Sequence, residues 1–300
     1  MSDLNKFQQK CRFLLQRILP APRAYTSWRF DQVAARIDQI VARLDRIEGH
    51  FIQNILLPEL QGEILIVLRL LEPKMASKHA KIRVGTNGDG GYVQLDDLQD
   101  ISHAFSFGVA DNDDWDVAMA KAGIPVEQFD QSVARAPSDH PLLHFHRKMI
   151  STKAGPKTAT VSDLVAEHSK LSAPDLILKM DIENGEWDVF DCTDEAVLAK
   201  FAQIVCEFHN LSQLTDSNFR ARARRVFEKL NRHFEPIHVH GNNCCGIVNI
   251  CNVTVPDLLE ITYASKARYS FVENTETFPT PLDAPNCAQL PSIVLGTFRF

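Results

Sequence analysis

The sequence predicts an α/β fold, doubly wound around a mostly parallel sheet, with an antiparallel edge and an N-terminal helical arm. Three observations lead there. After Pro73, short β-rich runs alternate with helical stretches, the order expected of βαβ units. Before it, the apolar spacing is helical throughout. The 300 residues are 45% hydrophobic and 23% charged, enough apolar material for one large core. The chain therefore divides into an arm, 1–72, and an α/β domain, 73–300.

Taken in order, Lys6 to Leu19 spaces Phe7, Cys11, Leu14, Leu15 and Ile18 as a basic amphipathic helix that stops at Pro20. Such a helix either touches a membrane surface or packs its apolar side within the protein. From Phe30, the residues Val33, Ile37, Ile40, Leu44, Ile47 and Phe51 recur in steps of three and four, as in a coiled-coil seam. About three heptads is the lower limit for that pattern, so a homo-oligomeric coiled coil and a helix packed on its own domain both fit. Leu56 to Leu71 is a further helix.

Strands are expected near Ala104–Phe107, Val126–Phe129, Leu143–Lys148, Leu176–Met180, Ile204–Glu207 and Ile237–Val239. Helices are expected near Trp115–Ala122, Val161–His168, Glu195–Phe201 and Ser217–Arg232. Gly246–Val253 and Leu258–Ala264 read as two strands turning at Pro256, which would form the antiparallel edge. The proline-rich stretch beyond reads as loop up to the apolar Ile293–Phe298.

Bulk properties exclude several classes. A net charge of −6 and a pI near 6.0 argue against a nucleic-acid partner, which needs a basic face. Seven cysteines, never spaced as CxxC, spell neither a zinc knuckle nor a disulfide framework, so a reducing cytoplasm is the expected location. No apolar run approaches the roughly 20 residues needed to cross a bilayer, and Lys10, Arg12 and Arg17 interrupt any secretory leader.

Open parallel sheets bind ligands beyond the carboxyl ends of their strands. At one such end the chain reads Phe105-Ser106-Phe107-Gly108-Val109-Ala110-Asp111, with a glycine that admits a ligand close to the backbone. This is not GxGxxG, which counts against a dinucleotide site. At the next end stands Asp130, a carboxylate placed where ribose hydroxyls are bound, or else a solvated loop residue. A third end reads Lys179-Met180-Asp181-Ile182-Glu183-Asn184-Gly185-Glu186-Trp187.

That last segment resembles the K-x-D-I-E-G-x-E motif of FkbM-like methyltransferases, with Asn184 in the usual glycine place and Gly185 after it. Arg83-Val84-Gly85 and Asp89-Gly90-Gly91-Tyr92-Val93 are similar to the R-x-G and D-G-G-Y-V segments of one branch of that family, and Thr160–Leu164 to its helix start before strand four. The resemblance spans about Lys81 to Ala264. It implies a Rossmann-like class I fold and S-adenosylmethionine as cofactor. Gly108 and Asp111 would lie by its amino-acid end, Asp130 on the ribose, and Gly90, Gly91 and Tyr92 over it. Asp-Gly and Gly-Gly also form hairpin turns readily; both roles can coexist.

Methyl transfer to a hydroxyl needs in-line positioning and a proton acceptor, or a metal that acidifies the hydroxyl. Three pairs spaced by two lie near the later strand ends: Asp181 with Glu183, Glu207 with His209, and His238 with His240. The expectation is that Asp181, Glu207 and His238 surround the acceptor or hold Mg²⁺ or Mn²⁺, Zn²⁺ being a tighter alternative, while His209 or His240 acts as base. Glu183 either supports Asp181 or starts the following helix. Asn242 and Asn243 could hold a polyhydroxylated acceptor. The resemblance points to an O-methyltransferase acting on a sugar, glycan or small molecule. A nicotinamide-dependent oxidoreductase and a noncatalytic ligand-binding scaffold are the competing readings.

Overall fold

A computed structural model describes residues 23–51, 56–169 and 174–300. The expected basic helix at Lys6–Leu19 lies outside the described residues. The chain forms two units, 1–58 and 59–300.

In the first unit, helix Arg23–Phe51 carries the heptad run. Val33, Ile37, Ile40, Leu44 and Ile47 are all exposed on it. No described helix is long and apolar enough to cross a membrane.

The second unit begins ahead of the expected boundary at 73, and the reason is burial. Helix Leu57–Arg69 sends Ile64, Val67 and Leu68 into the same core as the sheet, with Leu71 following. The strands, in chain order, are β1 (Lys74–Ala76), β2 (Lys81–Val84), β3 (Tyr92–Leu95), β4 (His103–Phe107), β5 (Val126–Phe129), β6 (Leu143–His146), β7 (Met149–Ile150), β8 (Thr158–Ala159), β9 (Leu176–Met180), β10 (Phe201–Phe208), β11 (Phe234–Gly241), β12 (Ile247–Ile250), β13 (Val253–Pro256), β14 (Leu259–Ser265) and β15 (Phe271–Glu273). Seven of them form one sheet in the order β11-β14-β10-β9-β4-β5-β6. All run parallel except β14, which is antiparallel to both β10 and β11. This mixed α/β sheet is compatible with a Rossmann-like fold.

The expected edge hairpin takes another form. Ile247–Ile250 pairs with Val253–Pro256 as a separate two-stranded unit, β12–β13. β14 instead enters the sheet between β10 and β11, which explains why all seven of its residues are buried, the polar Glu260, Thr262 and Ser265 included. Other expected strands and helices lie where the periodicity puts them. Helix Glu195–Leu198 is shorter than expected, because Phe201 already starts β10. Helix Gly185–Cys192, which no period announced, starts right after the Asp181 segment.

The core is aromatic around helices Gly185–Cys192 and Ser217–His233. Trp187 meets Phe208, Phe219 and Phe227 at ring separations of 5.1, 5.0 and 5.5 Å. Burying one such side chain stabilises by roughly 2 to 3 kcal/mol. This packing fixes the helix that follows Asp181, and with it the carboxyl end of β9.

Candidate active site

Strand order reverses between β4 and β9, and there the two chemical strand ends touch. Gly108 follows β4 with φ +80°, and a Cβ on it would fall 1.6 Å from the Asp181 carbonyl oxygen. Only glycine can stand there. Asp181 N donates to Phe107 O at 2.9 Å, so the end of β9 is tied to the end of β4. Lys179 donates to the Gly108 carbonyl and lies 5.9 Å from the Tyr92 ring centre.

A cavity of about 350 Å³ opens at this crest, lined by Gly90, Tyr92, Gly108, Asp111, Asp130 and Asp181 among others. Five of the six residues expected to bind a cofactor therefore line it. Gly91 does not. A Cβ on Gly91 would meet the Thr86 carbonyl at 2.0 Å, so its role is in the turn itself. That turn is braced by Arg83, which donates to Thr86 O and Gly88 O, both at 2.7 Å. Gly85 (φ +93°) leaves room there for the Gly90 carbonyl, at 2.6 Å from where a Cβ would sit. The two glycine motifs are thus one braided loop above β4.

The Asp130 carboxylate is more committed than its sequence context suggested. One oxygen accepts from Val109 N and Ala110 N, both at 2.9 Å, and the other from Ser132 N and Oγ, both at 2.6 Å. It latches the glycine loop. Burial opposes its charge, but these donors outweigh burial and hold its pKa below the ordinary aspartate value.

At the other end of the cavity, Asp181 Oδ1 lies 3.8 Å from His209 Nε2, and Glu183 Oε2 lies 3.5 Å from it. On the far side of the ring, Nδ1 donates to Glu186 Oε1 at 3.0 Å, and the His209 backbone N–H donates to the same oxygen at 2.9 Å. Glu186 is fully buried, and Trp187 Nε1 holds the His209 carbonyl at 3.0 Å. Burial alone would lower the imidazole's pKa; the bond to Glu186 and the charges of Glu186, Asp181 and Glu183 outweigh it and raise the value. Sequence reading missed Glu186, because an acidic residue in a helix's first turn is ordinary there.

The backbone turn fits the substitution noted in the motif. Glu183 and Asn184 take φ of +53° and +78°. Asparagine tolerates this left-handed region well enough to replace glycine. The Asn184 side chain also accepts a hydrogen bond from Asn210.

Glu207 is buried beside Asp181 and accepts from Tyr92 Oη at 2.7 Å. Burial, then the charges of Asp181 and Glu260, push its pKa well above the ordinary glutamate value. Burial likewise raises Asp181, against the pull of Lys179 and His209. Asp181, Glu207 and His209 each offer a ligand atom, all within 4.8 Å of one another.

His238 does not join them. Its Nε2 bonds Asp283 Oδ1 at 2.8 Å, and Lys81 Nζ lies 3.5 Å from its Nδ1. His240 Nδ1 is 3.0 Å from the same Asp283 oxygen, and Nε2 contacts Asn286 Oδ1 at 3.1 Å. β14 separates β11 from β10, so these imidazoles face the C-terminal segment instead. The expected metal ligand His238 and base His240 are therefore structural partners of that segment. Asn242 and Asn243 are buried as well; Asn243 donates to the Cys287, Leu290 and Pro291 carbonyls, so its amide braces the C-terminal segment.

A family model described as "Methyltransferase FkbM domain" matches residues 72–233, more than half of the chain. Comparison with curated proteins gave no match.

Proposed function

The chain belongs to the FkbM methyltransferase family, and from that premise we propose that it transfers a methyl group from S-adenosylmethionine to a hydroxyl of a sugar, glycan or other small acceptor. The observation that carries this reading is the His209–Glu186 pair behind Asp181, at the point where β4 and β9 part.

The cavity residues suit the cofactor by charge. Asp89, Asp111, Asp130, Asp181 and Glu183 line it against Lys148 and Lys179, a balance that favours a ligand bearing a sulfonium and an ammonium. The bound cofactor supplies an electrophilic methyl group. The acceptor hydroxyl is oriented by Asp181 and gives its proton to His209 Nε2. Glu186, on Nδ1, fixes the tautomer that leaves Nε2 free to accept and stabilises the imidazolium once formed, the logic of a carboxylate-backed histidine base. Asp130 would hold a ribose hydroxyl with the oxygen that Ser132 now engages, while its other oxygen keeps the glycine loop in place.

A second reading has one observation in its favour, the Asp181–Glu207–His209 cluster. These residues, with His209 in place of the expected His238, would hold a divalent ion such as Mg²⁺ or Mn²⁺, which lowers the pKa of a bound hydroxyl.

Thermal denaturation with and without ligand tests the cofactor. Saturating S-adenosylhomocysteine is expected to raise the melting temperature, since a ligand at 100 times its Kd stabilises by about 2.7 kcal/mol. Stabilisation by NAD alone would overturn the assignment. Activity that survives EDTA would favour the histidine base over the metal.

A further inference from the structure

Apart from the Asp181 cluster, on one face of β4, β5 and β6, five residues with metal-binding side chains converge. Strand register explains why. Phe105 pairs with Glu127, and Glu127 with His144. Alternation therefore sets His103, Glu127, His144 and His146 on one face of the sheet. Helix Val161–His168 covers that face and ends in His168, whose ring sits 5.6 Å from Phe105 and 4.7 Å from His103.

His103, Glu127 and His168 each present one ligand atom, all within 4.8 Å of one another. Glu127 is only 5% exposed. A buried carboxylate needs compensating positive charge or strong donors. Two come from the outer side: His144 Nδ1 at 2.8 Å on one oxygen and His146 Nε2 at 2.6 Å on the other. Burial works against ionisation of Glu127, but those bonds and the charges of His144 and His168 hold its pKa down at about 2.

We infer that His103, Glu127 and His168 form a zinc-binding site that clamps helix Val161–His168 to the sheet. Two imidazoles and one carboxylate are a donor set suited to Zn²⁺, whereas Mg²⁺ and Ca²⁺ prefer oxygen alone. Zinc bonds of roughly 2.0 to 2.2 Å require the three atoms to draw together by at most about 1.5 Å. His144 and His146 orient the ligating carboxylate from behind, as outer partners of metal ligands do. Both are partly exposed, His144 at 47% and His146 at 39% of their side chains, and open a way in for the ion. The fourth position falls to water or to one of these two rings. The site is independent of the methyl-transfer reading, since it shares no residue with the Asp181 cluster.

Competition with a chromophoric zinc chelator, on the full chain, tests it. Wild type is expected to bind Zn²⁺ tightly, Glu127→Gln to bind it more than 100-fold more weakly, His144→Ala about tenfold more weakly, and Glu207→Gln as wild type does. Wild-type affinity in Glu127→Gln, or loss of the tight site in Glu207→Gln, would overturn the assignment. X-ray absorption on the zinc-loaded wild type gives an answer that no unfolded variant can confuse. Two imidazoles with light-atom oxygen ligands support the site; sulfur ligands or oxygen alone refute it.

Discussion

Gly108 combines two demands that no other residue meets: a left-handed φ of +80° and the Asp181 carbonyl 1.6 Å from where a side chain would begin. Gly108→Ala is expected to cost more than ~2 kcal/mol and to abolish S-adenosylhomocysteine binding. Denaturant melts and calorimetric titration measure both; an unchanged midpoint would mean the loop relaxes freely. Glu186 works through His209. Its loss removes the bond that keeps the imidazole pKa raised, so Glu186→Gln should move the acid limb of the kcat/KM profile to lower pH, because the neutral base then persists further into acid. The plateau falls as well, as orientation of the ring is lost. Movement of that limb to higher pH would contradict the role. The places of Asp181, Gly108 and Asp130 at the carboxyl ends of their strands, around one cavity, were legible in sequence because strand ends in a parallel sheet announce themselves. Spacing by two also showed correctly that His238 and His240 share a face. It could not show that a reversed strand, β14, would part them from Glu207, or that Asp283 would claim both.

Among elements, helix Arg23–Phe51 stands out for the apolar stripe it leaves exposed. In heptad terms Ile37 and Leu44 alternate with Val33, Ile40 and Ile47, and a parallel second copy would bring Arg43 toward Glu48 of its mate. We propose that this stripe pairs with a second copy; full-length chain is then expected to scatter light as an oligomer, and deletion of 1–58 to give monomers while the fold persists. Deleting 1–72 should instead destabilise the domain severely, since Ile64, Val67, Leu68 and Leu71 are each at most 1% exposed and each Leu-sized loss costs about 2 to 5 kcal/mol. Equal melting temperatures for the two truncations would contradict this boundary. The arm and the β-α alternation were readable because periodicity is a local property. The C-terminal segment has no period, and only its partners, Asp283 on the paired histidines and Asn286 on Glu260 at 2.6 Å, give it a role. Tertiary pairing of that kind leaves no trace in a single sequence.

For the whole molecule, the acidic row across β10 and β14 makes stability depend on pH. Glu207 stands opposite Glu260, and Glu260 opposite His240. Burial raises the Glu260 pKa to about 7 against the opposing pull of His240 and Asn286. Below pH 4.5 the folded and unfolded chains both hold the Glu260 proton. Between 4.5 and 7 the unfolded chain releases it first, so the folded state loses stability as pH rises, by up to ~3 kcal/mol for this one group. Glu260→Gln should therefore gain stability relative to wild type between pH 4.5 and 7, and a constant difference across that range would show that Glu260 ionises normally in the fold.

Every role proposed above for the methyl-transfer site depends on where the cofactor lies. A crystal structure with S-adenosylhomocysteine addresses that directly. The expected result is the ribose against Asp130, the backbone of the glycine loop at Gly108 beneath the ligand, and its sulfur facing Asp181 and His209. Density for the nucleoside elsewhere on the domain, or an empty crest at saturating ligand, would contradict it.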